Sequence, residues 1–270
     1  MKDIRTAPFL VEICRTCDNM YRLGWDERNG GNISMLLDED EVKEYIDINA
    51  EGRVLETKFD AAYIGGRYLI VTGTGQYFKN VSVSPETCLG IIKIADDGKS
   101  YRILWGFEDG GRPTSELPTH LMNHIVRLKA DKNHKVVTHT HPTNVIAMSF
   151  VHSLDEKAFT KTLWRMITEC VVVFPDGIGV LPWMVCGNEE IGVATAAKMD
   201  TRRCVVWAQH GIFGSGTSLD EAFGLIETVE KAAQIYMMIK DSEILQTITD
   251  ENMKDIAKAF NLNVREGYLD

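Results

Sequence analysis

The sequence predicts an α/β protein in which a mixed, largely antiparallel central sheet is layered with helices. Apolar segments with the character of strands alternate along the chain with segments that have a helical period. LGIIKI (89–94) and YRILWGF (101–107) indicate two strands around the turn signal Asp97-Gly98, which predicts a hairpin. Because a hairpin joins antiparallel strands, the sheet cannot be entirely parallel.

The N-terminal part of the chain predicts one helix followed by two strands. Apolar residues between 9 and 20 recur with a helical period, and Gly24 suits the left-handed conformation that ends many helices. GGNISMLLD then indicates a turn into a strand, and 68–71 indicate a second strand that runs into the small-residue turn TGTG. Residues 38–66 are acidic and weakly patterned, so we expect them to form a surface insertion.

The chain after Pro113 alternates between helical and strand patterns. SELPTHLMNHIVRLK places its apolar residues on one helical face, so Glu116 should lie at or near a helix start. Ser218 and Glu221 have capping-box spacing and should begin a long helix. The other predicted elements are a strand at 135–141, a helix from Thr143, strands at 171–174 and 204–208, and a helix capped by Asn188.

The composition is that of an ordinary globular protein. The 270 residues are 44% hydrophobic and 25% charged, and no Pro/Gly/Ser-rich or single-sign charged stretch divides them, so we expect one domain spanning 1–270. With 29 basic against 39 acidic residues the net charge is −10, which argues against binding to nucleic acid or an anionic membrane. An anionic ligand would therefore have to be bound by local groups.

The cysteines and the N-terminal segment favour a cytoplasmic protein. The six cysteines are scattered, MKDIRTAPFL has no apolar run typical of a secretory signal, and no apolar stretch approaches the roughly 18 residues of a membrane span. Cys14 and Cys17 form a CxxC, which could be a redox or metal pair. Because they fall within a helical pattern of apolar residues, we expect them to be buried helix residues.

Three histidines form a candidate metal site. His139 and His141 are two apart on a predicted strand, so both imidazoles should point to the same face. His210 stands where the apolar strand 204–208 gives way to HGIFGSG. Three neutral imidazoles suit zinc with an open position for substrate, although the spacing alone is equally compatible with chance. The remaining histidines carry no metal-binding pattern and are expected to be ordinary core or surface residues: His120, His124, His134 and His152.

Small residues with hydroxyl or amide groups mark three candidate anion-binding loops. Such loops expose backbone N–H groups that can hold a phosphate without a lysine, although each alone is more typical of an ordinary tight turn. The loops are Asn29-Gly30-Gly31-Asn32, Thr72-Gly73-Thr74-Gly75 and Thr114-Ser115.

Two carboxylates are candidates for proton transfer. Glu116 directly follows Thr114-Ser115, so its carboxylate should lie close to an anion bound by those hydroxyls. Glu169 immediately precedes the apolar segment predicted as a strand at 171–174. For each carboxylate taken alone, a structural role is commoner than a catalytic one, and Glu116 in particular suits the positive end of a helix dipole.

These features coincide with long ordered motifs that resemble the class II aldolase/adducin-like family. The resemblance covers most of the chain. It is carried by WDERNGGN (25–32), TGTGQYFKNV, ILWGF with PTSELPTH, THTHPTN, TECVVVFPDGIGVLPWMV and HGIFGSGTSLDEAFGLIETVEKAA.

The resemblance implies a zinc-dependent lyase that splits a ketose 1-phosphate. It implies one Zn²⁺ per subunit on His139, His141 and His210, with Glu116 as a further ligand and the acid/base residue. Glu169 would reach into a neighbouring subunit's site, so the resemblance implies a homotetramer with active sites at subunit interfaces. The phosphate of the sugar substrate would be bound by residues of the three loops, namely Asn29, Gly31, Asn32, Thr74, Gly75, Thr114 and Ser115.

The sequence departs from the family pattern in a few places. Thr74 stands where the family has serine, which keeps the hydroxyl, and the segment between His139 and Asn144 differs from the commonest version. Residues 38–66 and the tail after about 242 match least, so no role is assigned to them. None of these departures removes a metal ligand.

Three alternatives remain open at this point. Lys93 in GIIKI could form a Schiff base instead, although a solvent-facing strand lysine is the simpler interpretation. A sugar-phosphate epimerase, or an aldolase for another ketose phosphate, would share the metal site. An adducin-like interaction module would not need to keep the histidines and Glu116.

Overall fold

The structure, a computed structural model, describes residues 1–269 and is built around a nine-stranded sheet. Across the sheet the strands lie in the order β2-β5-β4-β3-β1-β6-β9-β8-β7. In chain order they are β1 (Asn32–Leu37), β2 (Val54–Glu56), β3 (Tyr68–Thr72), β4 (Leu89–Ile94), β5 (Ser100–Gly106), β6 (Val136–Thr140), β7 (Gly179–Leu181), β8 (Cys204–Trp207) and β9 (Gly211–Gly216).

All neighbouring strands of this sheet are antiparallel except β7 and β8, which are parallel. The predicted hairpin is confirmed, since β4 and β5 pair across the turn that contains Asp97 and Gly98, and Gly98 has a φ of +68°. This φ is accessible to glycine at little steric cost. The expected mixed, largely antiparallel sheet is therefore the observed one.

Helices cover both faces of the sheet. They are α1 (Pro8–Arg22), α2 (Glu39–Val42), α3 (Phe78–Val81), α4 (Pro85–Cys88), α5 (Leu117–Ala130), α6 (Thr143–Val151), α7 (Glu156–Trp164), α8 (Glu169–Val173), α9 (Glu189–Met199), α10 (Leu219–Ile239) and α11 (Asp250–Ala259). Short 3-10 turns occupy Ile4–Thr6 and Ala62–Ile64.

Alternation along the strands divides the core between the two faces. On β1, Ile33 and Met35 pack with the helices α1, α6, α7 and α10, whereas Leu36 packs with Leu117 and Leu121 of α5. Further along the sheet, α9 joins α5 against β6, β8 and β9. Successive side chains of β1 and β6 point to opposite faces of the sheet. Those that do not pack with α1, α6, α7 and α10 therefore face α5, and the candidate site lies on this side.

The segment 171–174 was predicted as a strand, and this prediction is wrong. Residues Glu169–Val173 form α8, a short helix in which Cys170 and Val171 are buried and the next two valines are only half-buried. A short run of four apolar residues carries no period, so it cannot distinguish a strand from one turn of helix. Packing against α10 and α11 selects the helix here.

Residues 38–66 are more than the predicted surface insertion. They contain α2 and β2, and β2 extends the sheet at its edge by pairing with β5. Ile46 and Ile64 are buried, and the Thr57 hydroxyl donates to the Gly98 carbonyl at 2.8 Å. The weak sequence pattern results from a three-residue edge strand and a single helical turn, which are too short to show a period.

Both cysteines of the CxxC pair lie on a helix, as expected, but only one of them is fully buried. Cys17 is fully buried and Cys14 half-buried on α1, and burial raises the pKa of the Cys14 thiol to about 11. A raised pKa disfavours the thiolate that redox or metal chemistry needs. No helix within residues 1–269 has both the length and the apolar character required to cross a membrane.

Candidate active site and metal centre

Three imidazoles converge at the end of β6. His139 lies on β6, His141 follows its last residue, and His210 lies in the turn between β8 and β9. One ring nitrogen from each lies within 4.8 Å of those of the other two, and the ring centroids are 5.0 to 5.1 Å apart. The three histidines that the sequence analysis named as candidate metal ligands therefore lie side by side, and their role as ligands stays a prediction.

The backbone explains this convergence. The period of two along β6 places His139 and His141 on one face, while the β8–β9 turn brings His210 back beside them. Gln209 in that turn has a φ of 58°, a conformation that non-glycine residues rarely adopt. It is held there by Ser149 of α6, whose hydroxyl accepts from the Gln209 N–H at 2.8 Å.

The hydrogen bonds leave His139 with one nitrogen free. Its Nδ1–H donates to the Ile212 carbonyl at 3.0 Å, so the neutral ring carries its lone pair on Nε2. This Nε2 is buried and has no hydrogen-bond partner. A buried, unpartnered imidazole nitrogen among two others fits a bound metal ion, because coordination satisfies it.

His141 is prepared in the same way. Its Nδ1 lies 3.0 Å from a carboxylate oxygen of Glu27, so Nε2 is available on the other side of the ring. A carboxylate that holds the second nitrogen of a histidine fixes the ring and makes it a better ligand. A side chain at Gly30 would put its Cβ 2.9 Å from the His141 ring, so glycine leaves the space this ring needs.

Burial favours the neutral form of His139 and His210. Desolvation lowers the pKa of His139 well below its usual range and lowers that of His210 to about 4. Because the neutral imidazole is the form that binds metal, these two rings can accept a cation at neutral pH without first losing a proton.

Glu116 lies beside the imidazoles at the N-cap of α5. Its Oε2 is 3.9 Å from His139 Nε2 and accepts a hydrogen bond from Asn32 Nδ2 at 2.9 Å. The side chain is almost fully buried, and this desolvation raises the pKa of Glu116. A carboxyl whose pKa is raised towards neutrality can both take and give a proton.

The three candidate anion-binding loops meet around Thr72, the last residue of β3. Its hydroxyl accepts from the Ile33 N–H at 3.1 Å, and its carbonyl accepts from the Thr114 N–H at 2.9 Å. The Thr74 N–H donates to the Arg112 carbonyl, so this residue could contact an anion through its hydroxyl. The loops 29–32, 72–75 and 114–115 thus line one region next to Glu116.

The predicted site residues differ in exposure. Asn32 and Thr114 are buried, while Gly31 and Thr74 are half-buried. Asn29, Gly75 and Ser115 are exposed and thus open to solvent or a ligand. Neither group of potential metal-ligating side chains found within residues 1–269 includes Glu169, which is exposed at the start of α8.

Two residues of this region were missed by the sequence analysis. Cys186 is exposed, and its Sγ lies within 4.8 Å of ligand atoms of Glu116 and His210. Glu27 orients His141, as described above. The WDERNGGN motif contains Glu27 but gives it no spacing relation to a histidine more than a hundred residues away, and nothing in the sequence singles out Cys186.

The chain belongs to the class II aldolase and adducin family. The family model described as "Class II Aldolase and Adducin N-terminal domain" matches residues 11–237. This family includes metal-dependent aldolases, which agrees with the cluster of three histidines described above.

Full-length relatives narrow the comparison to one group within this family. A protein from Listeria welshimeri named rhamnulose-1-phosphate aldolase is 55% identical, covering 100% of this chain and 98% of that protein. Proteins of the same name from Listeria monocytogenes (52%; 99% and 98% covered) and Enterococcus faecalis (51%; 99% and 96% covered) are similar over comparable lengths.

Solved structures share the fold. A sugar-phosphate aldolase from Thermotoga maritima superposes with a TM-score of 0.73 at 31% identity, covering 86% of this chain and 94% of that one. An L-fuculose 1-phosphate aldolase superposes with a TM-score of 0.61 at 19% identity, covering 94% and 96%. The second likeness concerns the fold alone.

Proposed function

We propose that this chain is a metal-dependent aldolase that reversibly cleaves L-rhamnulose 1-phosphate into dihydroxyacetone phosphate and L-lactaldehyde, in L-rhamnose degradation. The observation that carries the reaction type is the unpartnered Nε2 of His139, which faces a carboxyl with a raised pKa among two further imidazoles. The substrate follows from the name of relatives that are 51 to 55% identical over nearly the whole chain.

Zinc is the metal we propose, one ion per subunit on His139, His141 and His210. Three neutral imidazoles with room for a further ligand form a common catalytic zinc site. When bound, the metal would act as a Lewis acid that polarises the substrate carbonyl. The protein contributes pre-oriented rings, with His139 held by the Ile212 carbonyl and His141 by the Glu27 carboxylate.

Glu116 is the residue we propose for proton transfer. Cleavage removes the proton of the C4 hydroxyl, breaks the C3–C4 bond and leaves its electron pair on the dihydroxyacetone phosphate part. That carbon must then gain a proton, and Glu116 is the buried carboxyl at the site. The Asn32 Nδ2–H donates to Oε2 of Glu116 and so stabilises its carboxylate form when the proton has left.

The phosphate is proposed to lie among the loops that meet at Thr72. Hydroxyls of Thr74, Thr114 and Ser115, the amides of Asn29 and Asn32, and the backbone of Gly31 and Gly75 are the groups available there. They are neutral donors, which agrees with the net charge of −10: the anion would be bound locally rather than by a basic surface.

The remaining proposals concern the assembly and its location. We propose a homotetramer in which Glu169 enters the active site of a neighbouring subunit, because Glu169 is exposed on its own subunit and outside both groups of potential metal ligands. We also propose that the whole chain acts as one domain and that the enzyme is cytoplasmic, where its six free cysteines would stay reduced.

Lys93 does not support the imine alternative. It lies on β4 with its ammonium 4.9 Å from the centre of the Tyr68 ring, and its hydrogen bond with Tyr68 raises the pKa of Lys93. A Schiff-base lysine needs the opposite shift, towards the neutral amine. Activity that survives complete metal removal but is lost on borohydride reduction with substrate would favour the imine route.

The decisive test combines metal analysis with turnover of the wild type and Glu116→Gln. The amide keeps the shape of the carboxyl but cannot shuttle a proton, so the variant should retain zinc and lose most of its turnover. A coupled assay with several ketose phosphates identifies the substrate. Unchanged turnover of Glu116→Gln would remove this residue from the mechanism, and faster cleavage of another ketose phosphate would reassign the substrate.

A further inference from the structure

A continuous chain of hydrogen bonds runs from the core to the active site on the α5 side of the sheet. It begins at His134, passes through His124, Ser34 and His120, and ends at Asn32, the residue that donates to Glu116. We propose that this chain positions the Asn32 side chain so that its Nδ2–H faces Glu116 and the substrate. His120, Ser34 and His124 are then positioning residues for the proposed aldolase reaction, on which this inference rests.

Every step of this chain of hydrogen bonds lies within hydrogen-bond distance. His134 Nε2 lies 2.9 Å from His124 Nδ1, His124 Nε2 lies 2.8 Å from Ser34 Oγ, and Ser34 Oγ lies 2.7 Å from His120 Nδ1. His120 Nε2 makes a short hydrogen bond with Asn32 Oδ1. All members are buried, from 0% exposed for Ser34, His120 and His124 to 7% for Asn32.

The hydrogen bond from Asn32 to Glu116 determines which group donates in every other hydrogen bond of the chain. Because Glu116 accepts from Asn32 Nδ2, the remaining Asn32 atom, Oδ1, must accept from His120 Nε2–H. A neutral His120 then accepts on Nδ1 from the Ser34 hydroxyl, which in turn accepts from His124 Nε2–H. His124 Nδ1 finally accepts from His134 Nε2–H, so all three rings carry their proton on Nε2.

Burial supports this assignment of neutral rings. Desolvation lowers the pKa of His120 and of His134 to about 3 each, and that of His124 well below its usual range. Each ring therefore has one donor and one acceptor nitrogen near neutral pH. Both nitrogens of His120 and of His124 are used within the chain.

The chain of hydrogen bonds fixes which atom of the Asn32 side-chain amide faces Glu116. The amide oxygen and nitrogen have nearly the same shape, so only hydrogen bonds decide which one faces the active site. If His120 did not donate to Oδ1, the amide could turn and place Oδ1 against the Glu116 carboxylate. Glu116 would then lose a donor and face a lone pair instead, and an anionic substrate group would meet the same reversal.

The sheet provides a matched control for Ser34. Ser34 on β1 and Ser215 on β9 both lie opposite Val137 of β6, and both are fully buried. The Ser215 hydroxyl donates to the Arg203 carbonyl at 3.1 Å and has no bond to the histidine chain. Ser34→Ala and Ser215→Ala therefore remove the same buried hydroxyl group at equivalent depths of one sheet.

The first experiment reads the tautomers directly in the wild-type enzyme. Nitrogen-15 NMR of histidine-labelled protein distinguishes a ring protonated on Nε2 from one protonated on Nδ1. We expect His120 and His124 to be Nε2-protonated at neutral pH, and a Nδ1-protonated His120 would overturn the proposal. This measurement needs no turnover, so it stands or falls independently of the proposed substrate.

The second experiment measures proton transfer at Glu116. Exchange of the C3 hydrogen of dihydroxyacetone phosphate with D2O should fall about tenfold or more in Ser34→Ala, together with kcat, while Ser215→Ala should keep near wild-type exchange. His120→Gln, which keeps an N–H donor near the position of Nε2, should retain most of the exchange that His120→Leu loses.

Two controls separate positioning from damage to the fold or the metal site. Zinc content and thermal midpoint are measured for every variant, and only variants that retain zinc and fold are compared. Exchange that falls equally in Ser34→Ala and Ser215→Ala, or that is unchanged in His120→Leu, would overturn the proposal. If the wild type does not exchange this hydrogen at all, the proposed function fails while the tautomer result is unaffected.

Discussion

At the scale of single residues, the proposed metal centre depends on the absence of a side chain at Gly211. A Cβ there would lie 2.5 Å from the Thr140 carbonyl oxygen, 2.8 Å from His141 Cδ2 and 3.0 Å from His139 Cε1. Contacts below 3.0 Å with a backbone atom cannot be relieved by a rotamer change. Both imidazoles would have to move, and a shift of a few tenths of an ångström already disturbs metal coordination.

We therefore expect Gly211→Ala to fold but to bind zinc at least about tenfold more weakly, since ligand geometry is displaced. Competition with a chromophoric chelator measures the affinity. Gly224→Ala is the control, because its Cβ meets nothing within 4 Å and alanine favours the helix α10 by about 1 kcal/mol. Equal zinc affinity in Gly211→Ala and the wild type would show that the rings tolerate the added methyl group.

Some residues of the candidate site could be predicted from the sequence and others could not. His139 and His141 were found because a period of two is a local property of one strand. Cys186 approaches the centre from a loop between β7 and α9, and its position depends on contacts between distant segments. The histidines of α5 were expected to be ordinary core or surface residues, and both are buried. Their hydrogen-bonded connection to Asn32 depends on which face of β1 packs against α5, and the spacing of residues along the sequence does not reveal this.

At the scale of elements, α6 is stabilised from outside itself. Pro142 at its N-cap offers no side-chain cap, and the carboxylate of Glu230 on α10 takes that role. Glu230 accepts from the N–H groups of Asn144 and Val145 at 3.0 and 2.9 Å and from the Asn144 side chain at 2.7 Å. A buried carboxylate at a helix N-terminus is favoured by both the free N–H groups and the dipole.

Replacing this carboxylate should destabilise the protein without altering the proposed metal ligands. We expect Glu230→Gln to lower the free energy of unfolding by about 1–3 kcal/mol, because an amide NH2 group would face N–H donors. Chemical denaturation measures the change. Glu227→Gln, an exposed position one turn earlier on α10, should stay within about 0.5 kcal/mol of the wild type, and a similar loss there would refute the capping role.

The elements that the sequence predicted correctly are those with a clear period or cap. β3 to β6 and β8 lie within one or two residues of their predicted bounds, and Asn188 and Ser218 cap α9 and α10 as expected. The failure at 171–174 has a physical cause, since four apolar residues fit either one helical turn or a buried strand. Neighbouring helices decide between them, and these neighbours come from residues 219 to 259.

At the scale of the whole molecule, the buried histidines should make stability depend on pH. In the folded protein the pKa values of His120 and His134 are about 3, and that of His124 is also strongly lowered, against about 6.5 in an unfolded chain. Below pH 6.5 the unfolded chain therefore binds protons that the folded protein excludes. Stability should be fully present above that pH and should fall as the pH decreases from 6.5 towards 3.

Each such histidine adds up to about 1.4 kcal/mol per pH unit to this slope. Denaturation at fixed protein and zinc concentrations between pH 7.5 and pH 5 measures it. Below about pH 6, the unfolding free energy of His134→Gln should change less steeply with pH than that of the wild type, by the equivalent of roughly one bound proton. Above pH 7 the two slopes should coincide. Parallel curves for wild type and variant at all these pH values would mean that the pKa of His134 is the same in the folded and unfolded states.

The proposed sharing of active sites between subunits gives the last prediction. Glu116→Gln and Glu169→Ala should each inactivate the enzyme, but they would damage different sites if Glu169 serves a neighbouring subunit. When equal amounts are unfolded and refolded together, a site is intact if one subunit supplies Glu116 and its neighbour supplies Glu169. Random assembly makes this probability one half times one half, so about a quarter of wild-type activity should return.

Simple mixing without refolding is the control, because intact tetramers would not exchange subunits on the time of the assay. Co-refolding either variant with itself should give no recovery. A Glu169 that acted within its own subunit would leave every mixed oligomer inactive, since each chain would then carry one lesion in its own site. The recovered fraction thus decides whether the smallest complete active site belongs to one chain or to two.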